Sequence, residues 1–316
     1  MFITPSIGVS LYPRDGPSCD DLIRNADTAM HVAKEQGANT FAFYSKGLTA
    51  RAFERVMLEN SLRKTIERDE LRLLYQPQLD LVNDTLVGVE ALLRWQHPDF
   101  GLIDPGRFIE LAEQTGLMID IGEWVLKTAC QQARQWQEAG LDICVAVNVG
   151  HQQIQRGVIQ EQVENALHGA RLPASHLKLE VLENFVMENA GASVVVLQAL
   201  RDRGVNLAID DFGTGYSSLA YLHQLPIQQL KIDQSFVRDM PHDRGSQAII
   251  RAIVALGDNL GLEVLAEGIE TAEQRAFLVA EGCHLGQGYL LARPMPGPAI
   301  AEWLEQRTAS IAPDEA

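Results

Sequence analysis

The chain is expected to fold as an α/β protein: a TIM-like (β/α)8 barrel behind a short α/β piece at the N terminus. Three observations predict this. From residue 71 onward, apolar runs of strand length alternate with amphipathic helical patterns, over about 240 residues, which is the usual size of such a barrel. The polar residues in those runs fall repeatedly at the strand ends. An open doubly wound sheet is the structural alternative, but no G-x-G-x-x-G or G-K-[ST] fingerprint supports it.

Taken in order, residues 2–11 alternate as a strand does, and Pro13, Asp15, Gly16 and Pro17 make a turn. A helix is predicted from Asp20 to Gln36, with Leu22, Ile23, Ala26, Met30 and Ala33 at helical spacing and Gly37 as its stop. Residues 40–44 read as a second strand. Two strands and a helix cannot bury their own apolar faces. Residues 1–47 are therefore read as the tail of a larger α/β domain. Residues 48–70 form a linker, with a helix over 48–68 placing Phe53, Met57, Leu58, Leu62 and Ile66 on one face.

The barrel is assigned to 71–310. LRLLYQPQL and LVGVEALLR are adjacent strands, followed by helices at 106–115 and 120–139. Next come the strand ICVAVNV, a helix over 151–169, the strand LKLEVLE and a helix at 191–203. The strand VNLAIDD runs into the loop FGTGYSS. QLKID, EVLAEG and a last strand near CHLGQGYLL are separated by helices at 244–260 and 271–281.

The composition permits a sizeable core, with 46% hydrophobic and 22% charged residues among 316. A net charge of −16 repels nucleic-acid polymers. It leaves room for a small anionic ligand received by metal ions or a few Arg. The four Cys show no C-x-x-C spacing, which excludes a zinc knuckle and points to a reducing, cytoplasmic setting. No apolar run approaches membrane-spanning length, and MFITPSIGVS lacks the basic start of a signal peptide. No membrane contact is expected of this chain.

The functional signal is the set of polar residues at strand ends: Glu90, Asn148, Glu180 with Glu183, Asp210 with Asp211, Lys231 with Asp233, Glu267 and Gln287. One acid at a strand end is ordinarily a loop residue or a helix cap. Successive strands bringing such groups to one end make a site, because buried charges are costly unless paired or metal-bound. Carboxylates and an amide, with no His or Cys, favour Mg²⁺ or Mn²⁺ over Zn²⁺. The adjacent Asp210 and Asp211 suit two ions, whose charge relieves their repulsion. Such a pair activates water against a phosphodiester. Lys231 is a candidate to orient the water, take its proton or neutralise charge. The loop after Asp211 is either a phosphate cradle or, the reading preferred, a mobile segment that positions the aspartates. Arg94 is a candidate phosphate donor or else a rim ion pair.

These residues resemble the EAL-domain cyclic-di-GMP phosphodiesterases. The resemblance is carried by Tyr75-Gln76-Pro77, Glu90-Ala91-Leu92 with Arg94, Asn148, Glu180 to Glu183, the run from Asp210 to Ser218, Lys231-Ile232-Asp233, Ala266-Glu267-Gly268 and Gln287-Gly288-Tyr289. It covers about residues 55–308, many separated motifs in one order. It implies hydrolysis of cyclic di-GMP to linear pGpG with two Mg²⁺ or Mn²⁺ ions, in a homodimer. By resemblance Glu90, Asn148, Glu180 and Asp210 hold one metal, and Asp210 and Asp211 the second, with Glu267 nearby. Lys231 and Gln287 serve the nucleophilic water. Glu183 anchors the loop, and Gln76, Leu93 and Arg94 contact substrate. A catalytically silent cyclic-di-GMP receptor is the alternative.

The N-terminal piece resembles the last part of a GGDEF domain, through Ser6-Ile7-Gly8-Val9, Ala26 to Met30 and Ala33-Lys34. The signature that names that family is not in the chain, so no cyclase activity is expected of it. Gly150, Leu182 and His31 depart from the two families' usual residues, and none of the three is an implied metal ligand.

Overall fold

The computed structural model of the chain describes residues 5–35, 39–45, 55, 57–188, 190–215 and 219–311. Gln36, Gly37, Phe53 and loop residues 216–218 lie outside the described residues. The chain divides into two compact units, Met1–Arg68 and Asp69–Ala316.

In the first unit, β1 (Ile7–Val9) pairs in parallel with β2 (Phe41–Phe43) through α1 (Cys19–Glu35). Asp20 and Asp21 in the first turn of α1 and Lys34 in its last complement the helix dipole. The helix lies directly on Gly8, where an added Cβ would stand 1.8 Å from the Ala26 carbonyl oxygen. The large residues point away from it: Ile7, Phe41 and Phe43 are 53, 60 and 51% exposed. A parallel sheet normally buries both faces, and this one does not.

The linker helix ends earlier than expected. Residues 57–62 are helical and 63–69 form turns. Tight bonds from Lys64 N to Ser61 O (3.0 Å) and Thr65 N to Leu62 O (3.2 Å) end the helical ladder. Leu58 and Leu62 are buried, but Met57 and Ile66 are exposed, so the single apolar face drawn through all of them does not form.

The second unit opens with the hairpin β3 (Leu71–Asp80) and β4 (Leu86–His97), extended by β5 (Gly101–Ile103). Then come α2 (Ile109–Thr115), α3 (Met118–Glu138), β6 (Val145–Asn148), α4 (His151–Gln155) and α5 (Ile159–Ala170). β7 (Leu177–Leu182), α6 (Glu183–Glu188), α7 (Ala190–Asp202), β8 (Asn206–Phe212) and α8 (Leu219–Leu222) follow. The chain continues with β9 (Gln229–Ile232), α9 (Gln234–Asp239), α10 (Arg244–Leu260), β10 (Glu263–Ala266) and α11 (Ala272–Ala280). β11 (Leu285–Gly286), β12 (Met295–Pro296) and α12 (Gly297–Ile311) complete it.

Strands β3, β4, β6, β7, β8, β9, β10 and β11 pair in that order, and β11 pairs back to β3, which closes an eight-stranded barrel. Six of the strand pairs around the ring are parallel; β3 alone runs antiparallel to both of its neighbours. The cause is local. A short turn with no helix joins β3 to β4, and such a connection permits only antiparallel pairing.

Two further elements differ from expectation. The helix over 151–169 is two helices, broken at Gly157, whose φ of +70° lies outside the helical range. The last strand is only Leu285–Gly286, because the chain then presses Gly288 against Ile269; a Cβ there would stand 2.2 Å from the Ile269 backbone.

The strand pleat sorts the core. Tyr75 faces the helices, edge-on to Trp136 of α3 at 4.9 Å, and Trp95 packs on Phe108 at 5.6 Å. Gln76, Glu90 and their same-face neighbours turn to the barrel interior. Among the described residues no helix is long and apolar enough to cross a membrane.

Candidate active site

Lys231 is the centre of the site. Its side chain is fully buried in the barrel. The ammonium lies 2.6 Å from Glu180 Oε2, 2.7 Å from Glu267 Oε1, 3.1 Å from Asp210 Oδ1 and 3.7 Å from Glu90 Oε2. Strands β4, β7, β8 and β9 and the end of β10 each contribute one of these five groups. Burial alone would lower the lysine pKa, but Asp210, Glu180, Glu267 and Glu90 together outweigh it and raise it well above its ordinary value.

The acids are raised as well, which for a carboxyl favours the neutral form. Burial, partly offset by Lys231, pushes Glu180 up to about 8. Burial, with Asp210 and Asp233 beside it, pushes Asp211 up to about 7. Glu267 is also raised, again chiefly by burial.

Adjacent residues of a flat strand face opposite sides, yet Asp210 and Asp211 both serve this end. A bulge explains it. Ile209 pairs with Leu230 and Phe212 with Ile232, so the two aspartates together oppose the single Lys231. Asp211 takes up the extra residue with φ +53°, a left-handed conformation that Asp tolerates better than most side chains.

Amides orient the carboxylates. Asn148 Nδ2 donates to Glu90 Oε1 at 2.7 Å, and Gln287 Nε2 donates to Glu90 Oε2 at 2.5 Å. Gln287 sits one residue beyond β11, its N–H bonded to Ala266 O. Gln76 is 6% exposed; its Oε1 accepts from Gln287 and its Nε2 donates to Ala292 O, both at 3.0 Å. Glu183, which opens α6, is 1% exposed and accepts from Gly213 N at 2.8 Å. Asp233 caps α9 by accepting from Ser235 N at 3.0 Å.

One residue does not stand as the sequence suggests, and one takes the second of its two expected roles. Leu93 is one residue out of phase with Glu90, pairs with Leu73, and shares the helix-facing side with Ala91 and Trp95. The pleat instead gives Leu92 and Arg94 the face of Glu90, so substrate contact through Leu93 is withdrawn. Arg94 is in a rim ion pair, Nε to Asp104 Oδ1 at 3.1 Å, with Nη1 donating to Leu93 O. Sequence reasoning also passed over Gln78, 1% exposed, which donates to Gln287 Oε1 at 3.0 Å. The available signal was its position two residues from Gln76 on one strand face.

The donor set fits divalent cations. Glu90, Glu180 and Asp210 bring oxygens within 4.8 Å of one another, and so do Asp210, Asp211 and Glu267. Glu180 Oε1 is buried with no hydrogen-bond partner among the described residues, an orphan acceptor that a cation satisfies. Oxygen donors alone match a hard ion.

A model of the EAL domain matches residues 59–294, and a model of the diguanylate cyclase, GGDEF domain, matches residues 1–40. The chain is 48% identical over 311 residues to the bifunctional diguanylate cyclase/cyclic di-GMP phosphodiesterase MucR of Pseudomonas aeruginosa, covering 98% of this chain and 44% of that protein. It is 44% identical over 314 residues to the cyclic di-GMP phosphodiesterase NbdA of the same organism, covering 99% of this chain and 40% of that one. The chain thus spans less than half the length of these curated relatives. Among solved structures, the PaMucR phosphodiesterase in complex with c-di-GMP superposes with a TM-score of 0.76 at 49% identity, covering 77% of this chain and 99% of that one.

Proposed function

The chain belongs to the EAL domain family, and from that premise we propose that it hydrolyses cyclic di-GMP to linear pGpG. The observation that carries the proposal is the convergence of Glu90, Glu180, Asp210 and Glu267 on Lys231 at one end of the barrel. Similarity to relatives named cyclic di-GMP phosphodiesterases supports the substrate.

Glu90, Asn148, Glu180 and Asp210 would hold one Mg²⁺ or Mn²⁺ ion, and Asp210 and Asp211 a second. Bound there, divalent ions supply Lewis acidity that makes water a competent nucleophile at neutral pH and stabilises the leaving oxygen. Asn148 spends its amide nitrogen on Glu90, so its oxygen is the atom left to act as a ligand. Gln287 fixes the Glu90 carboxylate and keeps it from turning.

Lys231 acts as a charge carrier that orients water by donating to it. Four surrounding carboxylates hold its proton, which argues against its taking one. Glu183 restrains the start of the loop at Gly213, two residues after Asp211. Arg94 exchanges its rim partner Asp104 for a substrate phosphate, and Gln76 offers its second amide hydrogen to the ligand. A homodimer is proposed on the family resemblance, and a cytoplasmic setting on the cysteine pattern.

The test is incubation of the full chain with cyclic di-GMP and Mg²⁺ or Mn²⁺, followed by chromatography for pGpG. Folded protein that yields no pGpG with either ion refutes the proposal. Binding without turnover points to a receptor.

A further inference from the structure

Gln78 faces the barrel interior from β3, a place where an apolar side chain is the ordinary occupant. Its cross-strand partner is Gly88, which has no side chain to share that space. A buried amide is costly unless its hydrogen bonds are made. Gln78 makes one of them to Gln287 Oε1, at 3.0 Å.

That bond completes a directional array. Gln287 Nε2 faces two acceptors, Gln76 Oε1 at 3.0 Å and Glu90 Oε2 at 2.5 Å. Gln287 Oε1 faces one donor, Gln78 Nε2. Turning the Gln287 amide over would set its oxygen against both acceptors and its nitrogen against the donor. Gln76 is itself oriented, because its Nε2 donates to Ala292 O. Gln76 and Gln78 lie two residues apart on the one antiparallel strand, so they grip opposite ends of the same amide.

We propose that Gln78 is a positioning residue of the metal centre: by holding the Gln287 amide with its nitrogen toward Glu90, it fixes the Glu90 carboxylate for metal binding. This rests on reading the acid cluster as a divalent-metal site. Among the described residues the side-chain hydrogen bond of Gln78 is to Gln287, and it acts on the metal centre through that residue. Changing groups that orient a ligand in this way typically costs about ten- to a hundredfold in metal affinity or activity.

The experiment is calorimetric titration of Mn²⁺ into the full chain, without nucleotide, for the wild type, Gln78→Met, Gln287→Ala and the double variant. Melting in EDTA serves as the folding control. Gln78→Met is expected to weaken Mn²⁺ binding about tenfold. In the Gln287→Ala background the same change is expected to have no further effect. Gln78→His, which keeps an N–H donor at similar reach, is expected to bind Mn²⁺ near the wild-type value.

Unchanged Mn²⁺ affinity in Gln78→Met overturns the proposal. So does an equal loss in both backgrounds, which would mean that Gln78 acts by packing. Should Gln78→Met not fold, Gln78→Leu also removes the donor with a shorter apolar side chain, and weaker Mn²⁺ binding by that variant carries the same meaning; unchanged binding overturns it. A wild type that binds no Mn²⁺ overturns the metal-site reading itself, and the inference with it.

Discussion

Lys231 and Glu180 meet at 2.6 Å with neither side chain exposed to solvent. Two buried charges are tolerable only when each answers the other. Here one ammonium faces four carboxyl groups, a crowding that the raised acids relieve by holding protons and that a cation would relieve in their ionised form. Removing Lys231 worsens that crowding. Lys231→Ala is expected to lower the urea unfolding free energy in EDTA by about 3–5 kcal/mol, the usual cost of stranding buried partners. Mn²⁺ is expected to restore part of that stability but not turnover, which falls at least about a hundredfold. Near-normal turnover in this variant would remove Lys231 from the chemistry.

The raised acids make the metal-free protein sensitive to pH in a defined direction. Glu180 is pushed up to about 8 from an ordinary 4.5, and Asp211 up to about 7 from an ordinary 3.8. A carboxyl whose folded pKa lies above its unfolded value binds its proton more tightly when folded. Its contribution to stability is therefore full below the unfolded pKa and is lost as pH rises through the folded one. In EDTA, the melting temperature is expected to fall between about pH 4 and pH 8. With saturating Mn²⁺, which binds the ionised form, the fall is expected to shrink or reverse. Scanning fluorimetry across this range with and without Mn²⁺ checks both slopes, and parallel curves would contradict the account.

The strand ends were legible because an apolar run closing on Asp, Asn or Glu is unusual at the sequence level, and Asn148, Asp210 and Glu267 stand there. Which face a residue takes was harder to read. The resemblance names Leu93 as a substrate contact, but an odd separation from Glu90 along a pleated strand puts it on the other side. The bulge that brings Asp210 and Asp211 together depends on the pairing of β8 with β9, a non-local fact that no single segment states. The role of Gln78 is hidden in the same way, because it meets Gln287, 209 residues later in the chain. The broken helix is different: Gly157 is visible in the sequence, but a lone glycine inside a helical pattern is tolerated often enough that it does not by itself mark a break.

Glu183 and Gly213 tie α6 to the loop that follows β8. The bond ends two residues from Asp211, so it restrains that aspartate without touching it. Glu183→Gln keeps a carbonyl acceptor for the Gly213 N–H, whereas Glu183→Ala leaves the N–H without this partner. Turnover is expected to fall by at least about tenfold in Glu183→Ala and by less in Glu183→Gln. The metal-free melting temperature of the two should differ little. Equal losses in both would show that charge, and not the acceptor, is what the loop requires.

Asp211 is strained twice, by its left-handed backbone and by the carboxylates of Asp210 and Asp233 beside it. Asn tolerates the same backbone region and carries no charge. Asp211→Asn therefore relieves repulsion without disturbing the bulge, and in EDTA above neutral pH it should melt higher than the wild type. The cost falls on the second cation, which loses a carboxylate ligand. Mn²⁺ titration is expected to register fewer or weaker sites, and turnover to fall by at least about a hundredfold. A gain in metal-free stability alongside a loss of metal and activity is the signature of a group kept for function against the interest of the fold. If Asp211→Asn instead melts lower in EDTA, the repulsion inferred at the bulge is not what limits the stability of the empty site.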